Sequence, residues 1–244
     1  MANRPKPGKC IYCLGDFDDL TWDHVLPISW YPESTPKNIE KWKVPACLAC
    51  NKQLGSIEED LLLRLGLCVD PKSIASLGIP NKVLRSVTPS YGKNENDRKI
   101  RGLKRAKLIE QITRREKLSE HEIFPNFGPE KDFMGSDNYH VIPIPEHLLL
   151  SYNQKLVRGM TYVLDKTLID KHFNIELIVT DPNHKDVQLL QELFMNHASI
   201  YNRGVGFVVK RISEEQGKAW VYEFVIWQKL KFYSVVQHVS FENS

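Results

Sequence analysis

The second half of the chain alternates apolar and polar positions in a way that predicts both helices and strands. Residues 174–180, NIELIVT, alternate in character and are rich in Ile and Val, which is typical of a half-buried strand. Segments in which apolar residues have helical or strand-like spacing lie before and after it in the chain. The pattern predicts helices over 146–166 and 185–199, and further strands over 204–212, 219–228 and 230–237. These elements predict an α+β domain with an antiparallel sheet.

The first half carries a helix-start signal before an apolar run. Ser56 and Glu59 have the spacing of a capping box, and LLLRLG follows them, which predicts a helix of about ten residues ending near Gly66. Residues 71–97 are rich in Pro, Ser, Gly and Asn. This composition predicts a loop or linker, with a short helix around 80–86.

A strongly basic segment follows the predicted linker. Nine of the twenty residues in 98–117 are Lys or Arg, and apolar residues recur on one face of the helix that the spacing predicts. One interpretation is a helix that binds nucleic-acid phosphates, and the other is a solvated amphipathic helix. The candidate nucleic-acid-binding residues are Arg98, Lys99, Arg101, Lys104, Arg105, Lys107, Arg114 and Arg115.

Length and composition limit the class of protein. The 244 residues suffice for one large or two small domains, and we divide them into an N-terminal unit (1–70), a linker with the basic helix (71–130) and a C-terminal α+β domain (131–244). No run approaches the roughly 18 apolar residues of a membrane span, and no apolar signal core follows the basic start. We therefore expect a soluble, cytoplasmic protein without a membrane partner. The net charge of +3 is compatible with an anionic partner.

Four of the five cysteines form two C-x-x-C pairs, CIYC with Cys10 and Cys13, and CLAC with Cys47 and Cys50. A single pair could be a redox motif or chance, but two pairs provide the four thiolates of a closed structural zinc site. A simple zinc ribbon has about 15–20 residues between its pairs. Here 33 residues separate Cys13 from Cys47, so the zinc is expected to hold together the two ends of a longer connecting segment.

That connecting segment contains DHVLPISW, in which Asp23 and His24 precede an apolar run. Asp23 offers a carboxylate and Asn51, directly after Cys50, offers an amide oxygen, which are ligands that a hard divalent cation prefers. His24 has an ordinary pKa near neutrality and can take a proton from water. Adjacent strand residues point to opposite faces, so both could serve one site only if the strand bends or ends here. The alternative is a surface pair or a histidine hydrogen-bonded in the core.

The order C-x-x-C, WDHVLPIS, PKN and C-x-x-C-N in residues 10–55 resembles the HNH endonucleases. The resemblance is to the branch with a four-cysteine zinc site, such as phage endonuclease VII and the McrA-like nucleases. It covers about the first 60 residues and implies a ββα-metal finger, a hairpin followed by a helix. The predicted fold is thus α+β: this zinc finger, a basic helical segment and the C-terminal domain with its antiparallel sheet.

The resemblance also implies the roles of the site residues. It makes Asp23 and Asn51 ligands of a catalytic divalent cation (Mg²⁺, Mn²⁺, Ni²⁺ or Zn²⁺), His24 the general base, and Asn38 the residue that orients the histidine. Asn38 lies nine residues before Cys47, where close relatives often have about five. The implied activity is metal-dependent hydrolysis of phosphodiester bonds, mostly in DNA, with bacterial restriction or phage defence as the expected role.

A second hypothesis is a zinc-stabilised module that binds nucleic acid or another protein without catalysis. It accounts for the cysteines and the basic helix but gives no role to Asp23, His24 and Asn51. An isolated finger of this family naturally cuts one strand, so double-strand cleavage would suggest a homodimer.

Overall fold

A computed structural model describes residues 4–114, 140–179, 185–214 and 217–239, and within them the chain is a mixed α+β protein. The helices are α1 (Leu48–Leu65), α2 (Ile79–Val87), α3 (Glu95–Gln111), α4 (Glu146–Asp165) and α5 (Lys185–His197). The strands are β1 (Gly8–Lys9), β2 (Asp16–Phe17), β3 (Thr21–His24), β4 (Lys43–Ala46), β5 (Thr113–Arg114), β6 (His140–Val141), β7 (Phe173–Ile178), β8 (Ser199–Asn202), β9 (Phe207–Ser213), β10 (Ala219–Ile226) and β11 (Leu230–His238).

The C-terminal half is built on a five-stranded antiparallel sheet in the order β7-β11-β10-β9-β8. Alternation along β10 sends Tyr222 toward α4, where its hydroxyl lies 2.8 Å from that of Thr161. The opposite face of the sheet packs on α5, with Phe194 against Tyr233. The antiparallel sheet and the helices predicted on either side of β7 are confirmed. Strand β8 was not predicted, because it begins two residues after the end of α5, and the helix predicted over 185–199 extends into its first residue, Ser199.

The N-terminal part contains a hairpin followed by a helix. Strands β3 and β4 pair antiparallel in the register Asp23↔Val44 and His24↔Lys43, and α1 starts two residues after β4. A smaller hairpin of β1 and β2 precedes them. The element order β-β-α is the one that the family resemblance implies.

Helix α1 differs from the helix predicted by the capping box. It begins at Leu48 with Cys47 as N-cap, and Ser56 and Glu59 lie inside it. The predicted start was therefore wrong, because the Cys47 sulfur accepts the Cys50 amide proton (3.4 Å) and caps the helix earlier. The predicted end near Gly66 is confirmed.

The basic helix α3 is also shorter at its C-terminal end than the segment 98–117 predicted. It starts at Glu95, where the Asn94 side chain caps it by accepting the amide proton of Asp97 (2.9 Å), and it ends at Gln111. Arg114 lies in β5 instead, and Arg115 lies outside the described residues. The short helix expected around 80–86 is present as α2. None of the helices in the described ranges has both the length and the apolarity needed to cross a membrane.

One hydrophobic core joins the two halves of the chain. Trp30, from the β3–β4 connection, lies 4.7 Å from Tyr152 and 5.0 Å from Trp227, measured between ring centres. The indole N–H of Trp227 also donates to the backbone oxygen of Trp30 (2.8 Å). Helix α4 comes so close that a Cβ on Gly159 would lie 2.9 Å from Val25. Glycine at this position thus allows α4 to pack directly behind β3. The domain boundaries at 70 and 130 stay a prediction.

Candidate metal centre and catalytic site

The four paired cysteines converge. Their sulfur atoms all lie within 4.8 Å of one another, and those of Cys13 and Cys47 are 3.9 Å apart. Cys10 and Cys13 sit on a tight turn, in which Leu14 donates to the Cys10 carbonyl (2.9 Å) and adopts a positive φ of 63°. Cys47 and Cys50 lie at the start of α1. The sequence prediction of a four-cysteine cluster is confirmed.

This cluster suits a tetrahedral metal ion. With zinc–sulfur bonds of about 2.3 Å, tetrahedral geometry places sulfur atoms about 3.8 Å apart, close to the separation observed. Burial and the neighbouring sulfurs raise the pKa of the Cys50 thiol. Neighbouring thiolates repel one another, and a bound cation would offset this repulsion. The cluster could therefore hold a metal ion, and zinc is the ion that this donor set favours.

Asp23 is buried, with only 7% of its surface exposed, and it is bonded on one oxygen. Its Oδ2 accepts a hydrogen bond from the Tyr12 hydroxyl (2.6 Å) and pairs with the Lys155 ammonium (3.0 Å). Tyr12 lies between the cysteines of the first pair, so the cysteine loop itself fixes the carboxylate. Both of these contacts are made to Oδ2.

Lys155 brings the C-terminal half into this site. It projects from α4, is fully buried, and also pairs with Glu58 of α1. Two carboxylates thus share one ammonium. Neither Lys155 nor Tyr12 was predicted to be a site residue. The available signals were a lysine within the apolar stripe of α4 and a tyrosine between the cysteines of a C-x-x-C pair.

Asn51 approaches β3 from α1. Its amide nitrogen donates to the Thr21 hydroxyl (3.0 Å), which in turn donates to the carbonyl of Ala46 (3.1 Å). Thr21 and Asp23 are two residues apart on β3 and therefore share a face. The bond to Thr21 uses the amide nitrogen of Asn51, so the amide oxygen does not take part in it.

His24 is the last residue of β3 and is half-buried. The regular pairing of β3 with β4 directs it to the face opposite Asp23. Partial burial is the main cause that lowers the pKa of His24 below its usual 6.5, and nearby lysines lower it further. The imidazole is therefore neutral at pH 7, the form that accepts a proton. Pairing continues one residue further, because the Val25 amide donates to the Trp42 carbonyl (3.0 Å), so a site that uses both Asp23 and His24 stays a prediction.

Asn38 lies on the surface, in a turn of the connection between β3 and β4. Its side chain has no hydrogen bond to any other described residue. Its role in orienting His24 stays a prediction.

The basic side chains of α3 fall into two groups: some are ion-paired with other residues, and others are exposed on the outer faces of the helix. Arg101 pairs with Asp97 (3.0 Å) and donates to the Arg85 carbonyl, while Lys104 pairs with Glu59. These two help to line a cleft of about 400 Å³ between α2 and α3. The side chains on the outer faces are those of Arg98, Lys99, Arg105 and Lys107. Only the second set is available to a partner without breaking an ion pair.

Glu58 is expected to make stability depend on pH. Burial raises its pKa from 4.5 to about 7, although Lys155 opposes the shift. The folded state therefore holds the Glu58 proton more tightly than the unfolded chain does. Protonation of Glu58 stabilises the fold fully below pH 4.5, and this contribution is lost as the pH rises to about 7. Relative to a Glu58→Gln variant, the free energy of unfolding of the wild type should fall by about 3 kcal/mol over this range.

Urea unfolding of both proteins at several pH values measures this difference. Equal pH dependence of the two proteins would contradict it.

No family model, no curated protein and no solved structure matches the chain.

Proposed function

We propose that the protein is a metal-dependent endonuclease of the HNH type, which hydrolyses phosphodiester bonds. One observation carries the proposal: the cysteine cluster fixes both candidate oxygen ligands. Tyr12, between the first pair, bonds to Asp23, and Asn51, directly after the second pair, bonds to the strand that carries Asp23. A purely structural zinc site would not require this coupling.

The residues present fit a hard divalent cation. Asp23 would bind it through Oδ1 and Asn51 through its amide oxygen, and both are donors that Mg²⁺ or Mn²⁺ accepts. Asp23, Glu58 and Lys155 together carry one net negative charge when Glu58 is ionised, which favours a cation nearby. When bound, such an ion would neutralise charge on the phosphate and the leaving oxygen.

The protein's own groups supply the remaining chemistry. His24 accepts a proton from the attacking water, and its lowered pKa keeps it unprotonated at neutral pH. Tyr12 and Lys155 hold the Asp23 carboxylate in one orientation. The exposed cations of α3, Arg98, Lys99, Arg105 and Lys107, attract the nucleic-acid backbone.

DNA is the substrate that the family resemblance favours, and restriction or phage defence is the corresponding biological role. Cutting of both strands would call for a homodimer. These are part of the proposal.

One observation favours the second candidate, a zinc-stabilised module without catalysis. Asp23 already has a tyrosine hydroxyl and a lysine ammonium on one oxygen and is buried, which is how a structural ion pair is built. In this function the Asp23–Lys155 pair only joins α4 to the finger.

A plasmid-nicking assay separates the two functions. We expect purified protein to convert supercoiled plasmid to the nicked form with Mg²⁺, Mn²⁺ or Ni²⁺, because the proposed site needs a divalent ion for charge neutralisation. EDTA should stop the reaction, and zinc content measured after EDTA treatment shows whether the structural metal was kept.

Relaxed plasmid, single-stranded DNA and RNA are tested in parallel. If zinc-loaded protein cuts none of them with any of the three ions, the catalytic proposal is wrong and the binding module stands.

A further inference from the structure

Trp22 differs from the other four tryptophans in its exposure. It is 40% exposed, whereas Trp30, Trp42, Trp220 and Trp227 are each at most 8% exposed. Each of those four contributes to the hydrophobic core. An indole on the surface leaves a large apolar area in water, which costs free energy that a binding partner would recover.

The position of Trp22 places it beside the candidate base. Trp22 and His24 are two residues apart on β3, so their side chains leave the same face about 7 Å apart along the strand. Lys43 is paired with His24 across the hairpin, and its ammonium lies 5.9 Å from the centre of the Trp22 ring. One outer face of the hairpin therefore carries an aromatic ring, a cation and the imidazole.

This combination matches the chemistry of a nucleotide. An exposed aromatic ring stacks on a nucleobase whatever its identity, and a neighbouring lysine attracts its phosphate. Bases within a duplex are stacked on one another and do not offer a free face. The ligand that this face fits is consequently an unpaired nucleobase in single-stranded or locally opened nucleic acid.

We propose that Trp22 and Lys43 form a stacking site for an unpaired nucleobase next to His24. The site rests on the proposed function for its meaning, since it would select substrates with an unpaired base close to the scissile phosphate. Its binding step needs no catalytic ion and can be measured without cleavage.

The test uses zinc-loaded full-length protein without added divalent ions. Fluorescence anisotropy of a labelled oligothymidylate measures affinity, and tryptophan emission reports stacking. Trp22→Leu should lower the affinity about 10- to 100-fold, because it removes the aromatic face. Trp22→Phe should bind within about three-fold of wild type for the same reason. A blunt duplex should bind at least about ten-fold more weakly than the single strand, since its bases are already stacked.

Matched variants separate a local effect from general damage. Ile200 is an exposed apolar residue on β8, and Ile200→Ala should bind like wild type. Lys43→Gln should lower the slope of log affinity against log salt by about one. Zinc content and thermal unfolding establish that each variant is folded. If Trp22→Leu is unfolded, the affinity of Lys43→Gln and the tryptophan emission of the wild type test the proposal instead.

Wild-type affinity in Trp22→Leu would overturn the proposal, and so would a duplex that binds and quenches as strongly as the single strand. The proposal would also be overturned if Trp22→Leu kept its affinity for the oligonucleotide but lost affinity for a protein partner. A protein that binds single strands through Trp22 but never cuts would refute only the nuclease function.

Discussion

Replacing His24 with alanine is expected to abolish cleavage while the protein still folds, holds zinc and binds nucleic acid. The imidazole is half-buried at the end of β3, and its lowered pKa provides a neutral base at pH 7. General-base catalysis contributes about 10²–10⁴-fold, so the single-turnover cleavage rate should fall by at least that order. The measurement is the rate of plasmid nicking at saturating divalent ion.

A histidine outside the site serves as the matched control. His197 ends α5 on the opposite side of the sheet from α4, and it is exposed. His197→Ala should cut at the wild-type rate. If His24→Ala also cuts at that rate, His24 is not the base and the mechanism is wrong.

Replacing Cys47 with serine is expected to destabilise the whole N-terminal part. Cys47 is both a member of the metal cluster and the N-cap of α1, and because serine is itself a favoured N-cap, the substitution removes a sulfur ligand while it keeps a capping side chain. Structural zinc in small fingers contributes on the order of 10 kcal/mol of apparent free energy at pH 7. Loss of a partner outside the ligand shell already costs about 10- to 100-fold in metal affinity, so loss of a direct ligand should lower zinc affinity by at least about 100-fold. The unfolding temperature should also drop, and metal analysis and calorimetry measure the two effects.

Cys68→Ser provides the control for the loss of a thiol. Cys68 is outside the cluster and its sulfur donates only to the carbonyl of Arg64 (3.4 Å). This variant should keep one zinc per chain. Full zinc retention in Cys47→Ser would show that the cluster is not the zinc site.

The sequence predicted those parts of the site whose residues lie only a few positions apart in the chain. C-x-x-C fixes two sulfurs on one turn, and Asn51 follows Cys50 directly, so their proximity needs no knowledge of the fold. Alternation over seven residues was likewise enough to locate β7. Local signals of this kind carry little ambiguity because the backbone alone brings the groups together.

The parts that escaped prediction depend on distant contacts or on competing local signals. Lys155 meets Asp23 only because α4 crosses behind β3, which no local pattern encodes. Strand β4 contains Pro45, a residue that argues against a strand, and it is tolerated because β4 is an edge strand of the two-stranded sheet that it forms with β3. The Ser56 and Glu59 pair had the right spacing for a helix start but lies inside α1, which is already capped by Cys47.

The contact between Trp30 and Trp227 also determines the order in which the protein can be completed during synthesis. The two residues are 197 positions apart, so the connection that follows His24 leaves the ribosome long before its packing partner. The cysteine cluster needs only the first 50 residues and can bind metal early. A nascent chain ending before β10 would therefore contain all four cysteines of the cluster while Trp30 still lacked its Trp227 partner.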